Sequence, residues 1–357
     1  MTKATYTPQG RNQLAERTAQ QWVVPVGLIA SVVWLLIFRI HPPIPISGWP
    51  SIGAGALLSS VVVTLIVFPI GYLKGTRYAA HYNPALNFSL IRKLFSVVTL
   101  TIAFSLVTAI LIGVGTFIFN LSFKDLLLDQ YSSAVIVGVV TAVTTYAIFD
   151  TSIRLTTQDI VNAFSTFMVV GVFSSMITSQ NPYWWQENFS SLGTTNSVSS
   201  LAFNYTLILS GLLMVCMSQH LFADLNLLTG TSKQQKINAN WIRALFVFIA
   251  LCLAGVGFFP YNQQPQLHNF SAYSMAFGFA ALVIGLRWFL PSIDKAFLRL
   301  SYFILGAMVV AEILFNFVHY LNLTAFELLA FSLTFVWLIL FLRTINLMLS
   351  SKDANKT

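Results

Sequence analysis

Residues 95–119, FSVVTLTIAFSLVTAILIGVGTFIF, run for twenty-five positions without a charged side chain. A hydrocarbon core takes about 20 helical residues to cross, so this stretch can span a bilayer by itself. The pattern recurs along the chain. Segments near 22–39, 54–73, 132–150, 159–178, 201–221, 241–260, 270–290, 299–320 and 324–347 pass the same test of length and absent charge. The expected fold is all-α, a polytopic transmembrane helical bundle of about ten spans.

Composition excludes the soluble alternative. Of 357 residues, 56% are hydrophobic and 8% charged, whereas a soluble domain carries about 25% charged residues on its wetted surface. The net charge of +8 does not point to nucleic acid, because the Lys and Arg sit in short connections between apolar spans. With an inside start, seventeen of the nineteen fall on the cytoplasmic side, and only Arg39 and Lys124 face out. That asymmetry predicts a multi-pass cell-membrane protein with both termini inside. Membrane lipids are the expected partners, and no nucleic acid.

The same reading divides the chain into a cytoplasmic tail (1–21), a first bundle of about five spans (22–178), an outer loop (179–200), a second bundle of about five spans (201–347) and a closing tail (348–357). No cleaved signal peptide is expected. The first 21 residues are polar, and the apolar run from Trp22 ends in Arg39, His41 and a Pro-rich stretch without a small-residue cleavage site. Cys216 and Cys252 lie inside apolar segments, where thiols serve as small apolar residues.

Signatures of common chemistry are missing. Gly230-Thr231-Ser232-Lys233 is a polar turn, not a phosphate-binding loop, and neither HExxH nor GxSxG occurs. No cofactor and no metal are expected. Two His and two carboxylates in the outer set below can hold zinc in principle, but their spacing does not demand it.

The positive signal is Glu312, about a dozen residues into the ninth span. A charged carboxylate there costs roughly 2.5–3.5 kcal/mol on insertion scales, so it faces protein or water, or is protonated. Asn316 and His319 follow at i+4 and i+7 on one helical face. His268 and Asn269 open the eighth span and Glu327 begins the tenth, all near the outer surface. Together these six residues are the candidate ligand-binding set, an outward-facing polar pocket. Against it stands a purely structural reading: histidines among headgroups, Glu327 near a helix N-terminus, Glu312 a neutral acid bonded to a neighbouring helix. On the inner side, Asp150 and Arg154 read as a local ion pair. The basic connection from Lys74 to Lys93 reads as a surface segment held near anionic headgroups.

The second half resembles a known family. It carries Asn181-Pro182-Tyr183-Trp184-Trp185-Gln186, Ser190-Ser191-Leu192-Gly193, Ala202-Phe203-Asn204-Tyr205-Thr206 with Gly211-Leu212, Gly255-Val256-Gly257-Phe258-Phe259-Pro260, and His268-Asn269 before Ala272. Over roughly residues 180–300 this order is similar to uncharacterised bacterial membrane proteins with a domain of unknown function, distantly similar to damage-regulated autophagy modulator (DRAM)-like membrane proteins. The resemblance places His268 and Asn269 on the family's His-Asn at a helix start. Some members are labelled permease components, and the eukaryotic relatives imply lipid or trafficking roles. The leading expectation is binding or transport of a small amphipathic or lipid-like molecule. The alternatives are an intramembrane lipid hydrolase and a non-catalytic regulator with a separate protein partner.

Overall fold

A computed structural model of the chain describes residues 7–40, 42–194, 197–228 and 233–354. His41 and the Gly230–Ser232 turn lie outside the described residues. Among the described residues, ten helices are long and apolar enough to cross a membrane, and each holds one of the ten expected spans. The chain divides into two compact units, Met1–Thr156 and Thr157–Thr357. The division falls after four helices, whereas the sequence reading divides the spans five and five at residue 178. Helix packing puts the fifth span with the sixth.

The first unit contains α1 (Pro8–Phe38), α2 (Ile52–Ala79), α3 (Leu90–Ser122) and α4 (Gln130–Arg154). Thr7 caps α1 by accepting the Gly10 N–H at 3.1 Å, and Pro8 supplies the first turn. Residues 8–21, read as a tail, therefore continue the helix. With 31 residues at 1.5 Å per residue, α1 is about 46 Å long and outreaches the hydrocarbon core.

Small residues let α4 approach both α1 and α2. Gly27 abuts Ala142, Gly138 abuts Ser31, and Gly71 abuts Ser152. Hydroxyls buried between these helices bond to carbonyls a turn back or to one another. Thr64 and Thr141 donate to the Ser60 and Val137 carbonyls at 2.8 and 2.7 Å, and Ser60 pairs with Thr144 at 3.1 Å. Such self-satisfaction suits a medium without water. At one end, Trp34, Phe38, Ile44, Ile52 and Val137 form an apolar cluster. Two short strands, β1 (Ile44–Pro45) and β2 (Leu127–Leu128), pair antiparallel there. At the other end, Arg11 donates to the Ile153 and Leu155 carbonyls at 2.6 and 3.1 Å, satisfying the C-terminus of α4. The Asp150–Arg154 pair read from the sequence is present, and Glu16 joins it through Arg154 and the Tyr146 hydroxyl.

The second unit contains α5 (Thr157–Ile177), α6 (Val198–Leu228), α7 (Lys233–Phe258), α8 (Pro265–Phe289), α9 (Lys295–Asn316) and α10 (Leu323–Ala354). Among its helices α6 is the most enclosed. It meets α5 where Gly171 faces Thr206, and α7 where Gly211 faces the Ala250 carbonyl and Gly257 the Asn204 carbonyl. Trp337 of α10 donates to Ser301 Oγ of α9 at 2.8 Å and stacks on Phe341. Of the two cysteines, Cys216 is buried and Cys252 half-buried.

Candidate polar site in the second unit

The connection between α5 and α6 folds back onto the unit instead of projecting from it. Asn181 starts a turn by accepting the Tyr183 N–H at 2.9 Å and donating to Glu187 at 3.2 Å. Two 3-10 turns follow, Trp184–Gln186 and Phe189–Gly193. The second is wholly buried. Phe189 meets Phe203 edge-on at 5.1 Å and lies 6.1 Å from Phe331. Gly193 sits against Phe203 and Asn204, where a Cβ would stand 2.5 Å from Asn204 Oδ1. Its carbonyl accepts from Asn204 Nδ2 at 2.9 Å and Ser200 Oγ at 3.0 Å. Asn262, beyond α7, donates to the Thr194 carbonyl at 2.6 Å.

Two titratable side chains grip this turn. Glu327, in the second turn of α10, accepts the Phe189 N–H at 2.6 Å, and its other oxygen lies 3.4 Å from Ser190 Oγ. His268, in the first turn of α8, has Nδ1 2.9 Å from the Phe259 carbonyl and Nε2 3.0 Å from Ser190 Oγ. His268 and Ser190 are both buried. Tyr261 meets the imidazole edge-on at 5.7 Å.

The hydrogens in this chain can be counted. A carbonyl only accepts, so Nδ1 of His268 carries its proton toward Phe259. If the imidazole is neutral, Nε2 is an acceptor and takes the single hydroxyl proton of Ser190. A protonated Glu327 can then donate to the serine oxygen, whereas an ionised one keeps only the Phe189 N–H. If His268 is instead an imidazolium, Nε2 donates to Ser190, whose proton goes to a Glu327 carboxylate. Both arrangements hold one proton more than a neutral histidine beside a carboxylate. Both leave the set electrically neutral, as burial favours. His268, Ser190 and Glu327 thus form a wire over which one proton can sit at either end.

The other expected residues lie apart from this wire. Asn269 is exposed on α8. Glu312 is half-buried on α9 and accepts a hydrogen bond from Asn316, its partner one turn on. The expected helical stripe stops there. Helix α9 ends at Asn316, and His319 is exposed with φ 56°, a left-handed residue past the helix terminus. Of the six candidates, His268 and Glu327 are joined through Ser190, Glu312 and Asn316 bond to each other, and Asn269 and His319 face outward.

Two groups escaped the sequence reading. Ser190 stands in a Ser-rich stretch with no spacing to single it out. Asp224, near the opposite end of α6, accepts the Thr157 hydroxyl at 2.5 Å in a largely buried setting. The sequence reading ends that span near 221, and the helix continues to Leu228. Among the described residues, no three or more His, Cys, Asp or Glu side chains are grouped as metal ligands.

Comparison with known proteins gives one match. A family model described as "Protein of unknown function (DUF998)" covers residues 160–344, just over half of the chain. The matched region lies inside the second unit and contains Ser190, His268 and Glu327. No curated protein and no solved structure matches the chain.

Proposed function

From the premise that this integral membrane protein belongs to that family of unknown function, we propose that its second unit binds and moves a small amphipathic molecule with a cationic headgroup, in exchange for a proton. The observation that carries the reading is the Glu327–Ser190–His268 chain of contacts, which closes into an unbroken run of hydrogen bonds when one added proton is held. An ammonium group that reaches Glu327 takes the place of that proton and keeps the set neutral. Phe189, Phe203 and Phe331 pack together around the turn, and opening of the turn would bring these rings against the cation and its apolar body. Tyr183 and Trp185, 62% and 48% exposed, suit the headgroup level and deliver an amphiphile to the turn. The remaining titratable groups near the wire are Tyr261 against His268 and Glu187, which accepts from Asn181.

The reading includes a bacterial cell membrane, cytoplasmic termini and a permease-like role, and the placement of seventeen of nineteen basic residues supports the orientation. It is tested with the full chain in nanodiscs at weak buffering. Titration with a fluorescent lipophilic ammonium should release about one proton per cation bound. Glu327→Gln should abolish both binding and release. Binding without proton release, or unchanged binding by Glu327→Gln, overturns it.

A hydrolytic reading has one observation in its favour. Ser190 Oγ lies 3.0 Å from an imidazole nitrogen whose partner nitrogen is fixed by the Phe259 carbonyl, the relation of a nucleophile to its base. It predicts that a fluorophosphonate labels Ser190 in the wild type and not in His268→Ala. Absence of label in the wild type removes it.

A further inference from the structure

The first unit carries a second site, independent of the reading above. Between α2 and α3 the chain turns back tightly on itself. The Asn83 N–H donates to the Ala79 carbonyl at 2.8 Å, and the buried Asn83 side chain accepts the Ala85 N–H at 3.2 Å. His81 Nδ1 is held 2.8 Å from the Arg77 carbonyl. These bonds border a groove of about 390 Å³ lined by Thr76, Arg77, His81, Leu86, Asn87 and Lys93.

Its chemistry is one-sided. No Asp or Glu occurs between Glu16 and Asp125, and among the described residues neither Arg77 nor Lys93 has an ion-pair partner. Lys74 and Arg92 add two further cations to the same connection. A guanidinium fork, an ammonium, an imidazole and a carboxamide converge on one concavity, a donor set that matches phosphate oxygens. The surroundings decide where the phosphate comes from. Leu90, Ile91 and Leu94 are 79%, 82% and 61% exposed beside Arg92 and Lys93. Apolar side chains so placed next to cations suit acyl chains below a headgroup.

We propose that this groove is a binding site for the phosphate of an anionic phospholipid, with the acyl chains lying along the start of α3. The four basic residues, none of which has an ion-pair partner among the described residues, select a net negative headgroup over a zwitterionic one.

The test uses the full chain in neutral detergent, titrated with short-chain phosphatidylglycerol, short-chain phosphatidylcholine or inorganic phosphate, and read by native mass spectrometry and thermal shift. Phosphatidylglycerol should bind and stabilise, with phosphatidylcholine much weaker. Arg77→Gln and Lys93→Gln should each weaken phosphatidylglycerol roughly fivefold, and the double variant more, while Arg77→Lys retains most of the binding. Arg39→Gln, at a position outside the groove, should leave affinity unchanged and so control for total charge. The proposal is overturned if the double variant unfolds like the wild type yet binds phosphatidylglycerol equally well. It is also overturned if inorganic phosphate occupies the site as tightly as the lipid, which would assign a soluble phosphate instead.

Discussion

Glu327 Oε2 accepts the backbone N–H of Phe189 at 2.6 Å across 138 residues of sequence. A side chain on a membrane-spanning helix thereby satisfies a loop amide that the fold has taken out of water. Breaking this bond without replacing it should cost about 1–3 kcal/mol, the desolvation penalty of a buried donor. Glu327→Leu should lower the unfolding temperature in detergent and expose the 189–193 amides to hydrogen exchange. Glu327→Gln retains a carbonyl acceptor of the same reach, and its loss of stability should be clearly smaller. Equal behaviour of the two variants would mean that the amide does not depend on this acceptor.

On the proposed function, the proton shared along the wire gives the turn a pH dependence with a definite sign. While the proton is bound, every position between Glu327 and His268 has a donor facing an acceptor. Once it leaves, the Ser190 hydroxyl has one hydrogen for two acceptors, and one bond to the turn is lost. Raising the pH should therefore loosen the turn, and lowering it should restore the closed form. Iodide quenching of Trp184 and Trp185 fluorescence, followed against pH, should show this as a step. Glu327→Gln should remove the step, because the amide donor does not titrate. A step of the same midpoint in that variant would assign it to another group.

Much of the architecture was legible because membrane spanning is a one-dimensional constraint. Ten apolar stretches had to become ten helices once water was excluded from their backbones. The site was legible only in part. His268 and Glu327 stood out as titratable residues at span ends, but their meeting depends on Ser190 and on a turn that packs back into the unit. No periodicity encodes that return. Glu312 looked like the centre of the pocket because i, i+4 and i+7 share a helical face. That inference needs the helix to continue, and α9 ends at Asn316. Asp224 lies beyond the span end read near 221, and the helix that carries it runs on to Leu228.

The glycines separate positions under packing constraint from positions that are merely apolar. At Gly211 an added Cβ would stand 2.5 Å from the Ala250 carbonyl oxygen, a backbone atom of α7 that cannot rotate away. At Gly113 nothing lies within 4 Å of the same added atom. Gly211→Ala should push α6 and α7 apart and destabilise by about 1–3 kcal/mol, as overpacking does. Gly113→Ala should be neutral or stabilising, since alanine is the better helix former. Thermal unfolding of the two purified variants checks the contrast, and comparable losses would show that the α6–α7 contact is less close than described.

Asp129 offers a pH test within the first unit. It caps α4 by accepting the N–H groups of Tyr131 and Ser132 at 2.9 and 3.0 Å. Hydrogen bonds from Ser132 hold its carboxyl below the usual value of 3.8. A carboxyl depressed on folding contributes stability that is fully present above its unfolded value and is lost as the pH falls through the folded one. The stability difference between wild type and Asp129→Ala should thus be constant from neutral pH down to about pH 4. Below that it should shrink as the cap is protonated and loses its charged acceptor. Asp129→Asn keeps a capping oxygen without the charge, so its difference from Asp129→Ala should stay level across the acid range. Unfolding midpoints of the three proteins between pH 7 and pH 3 measure this. An acid-range change in Asp129→Asn as large as that of the wild type would place the titrating group elsewhere.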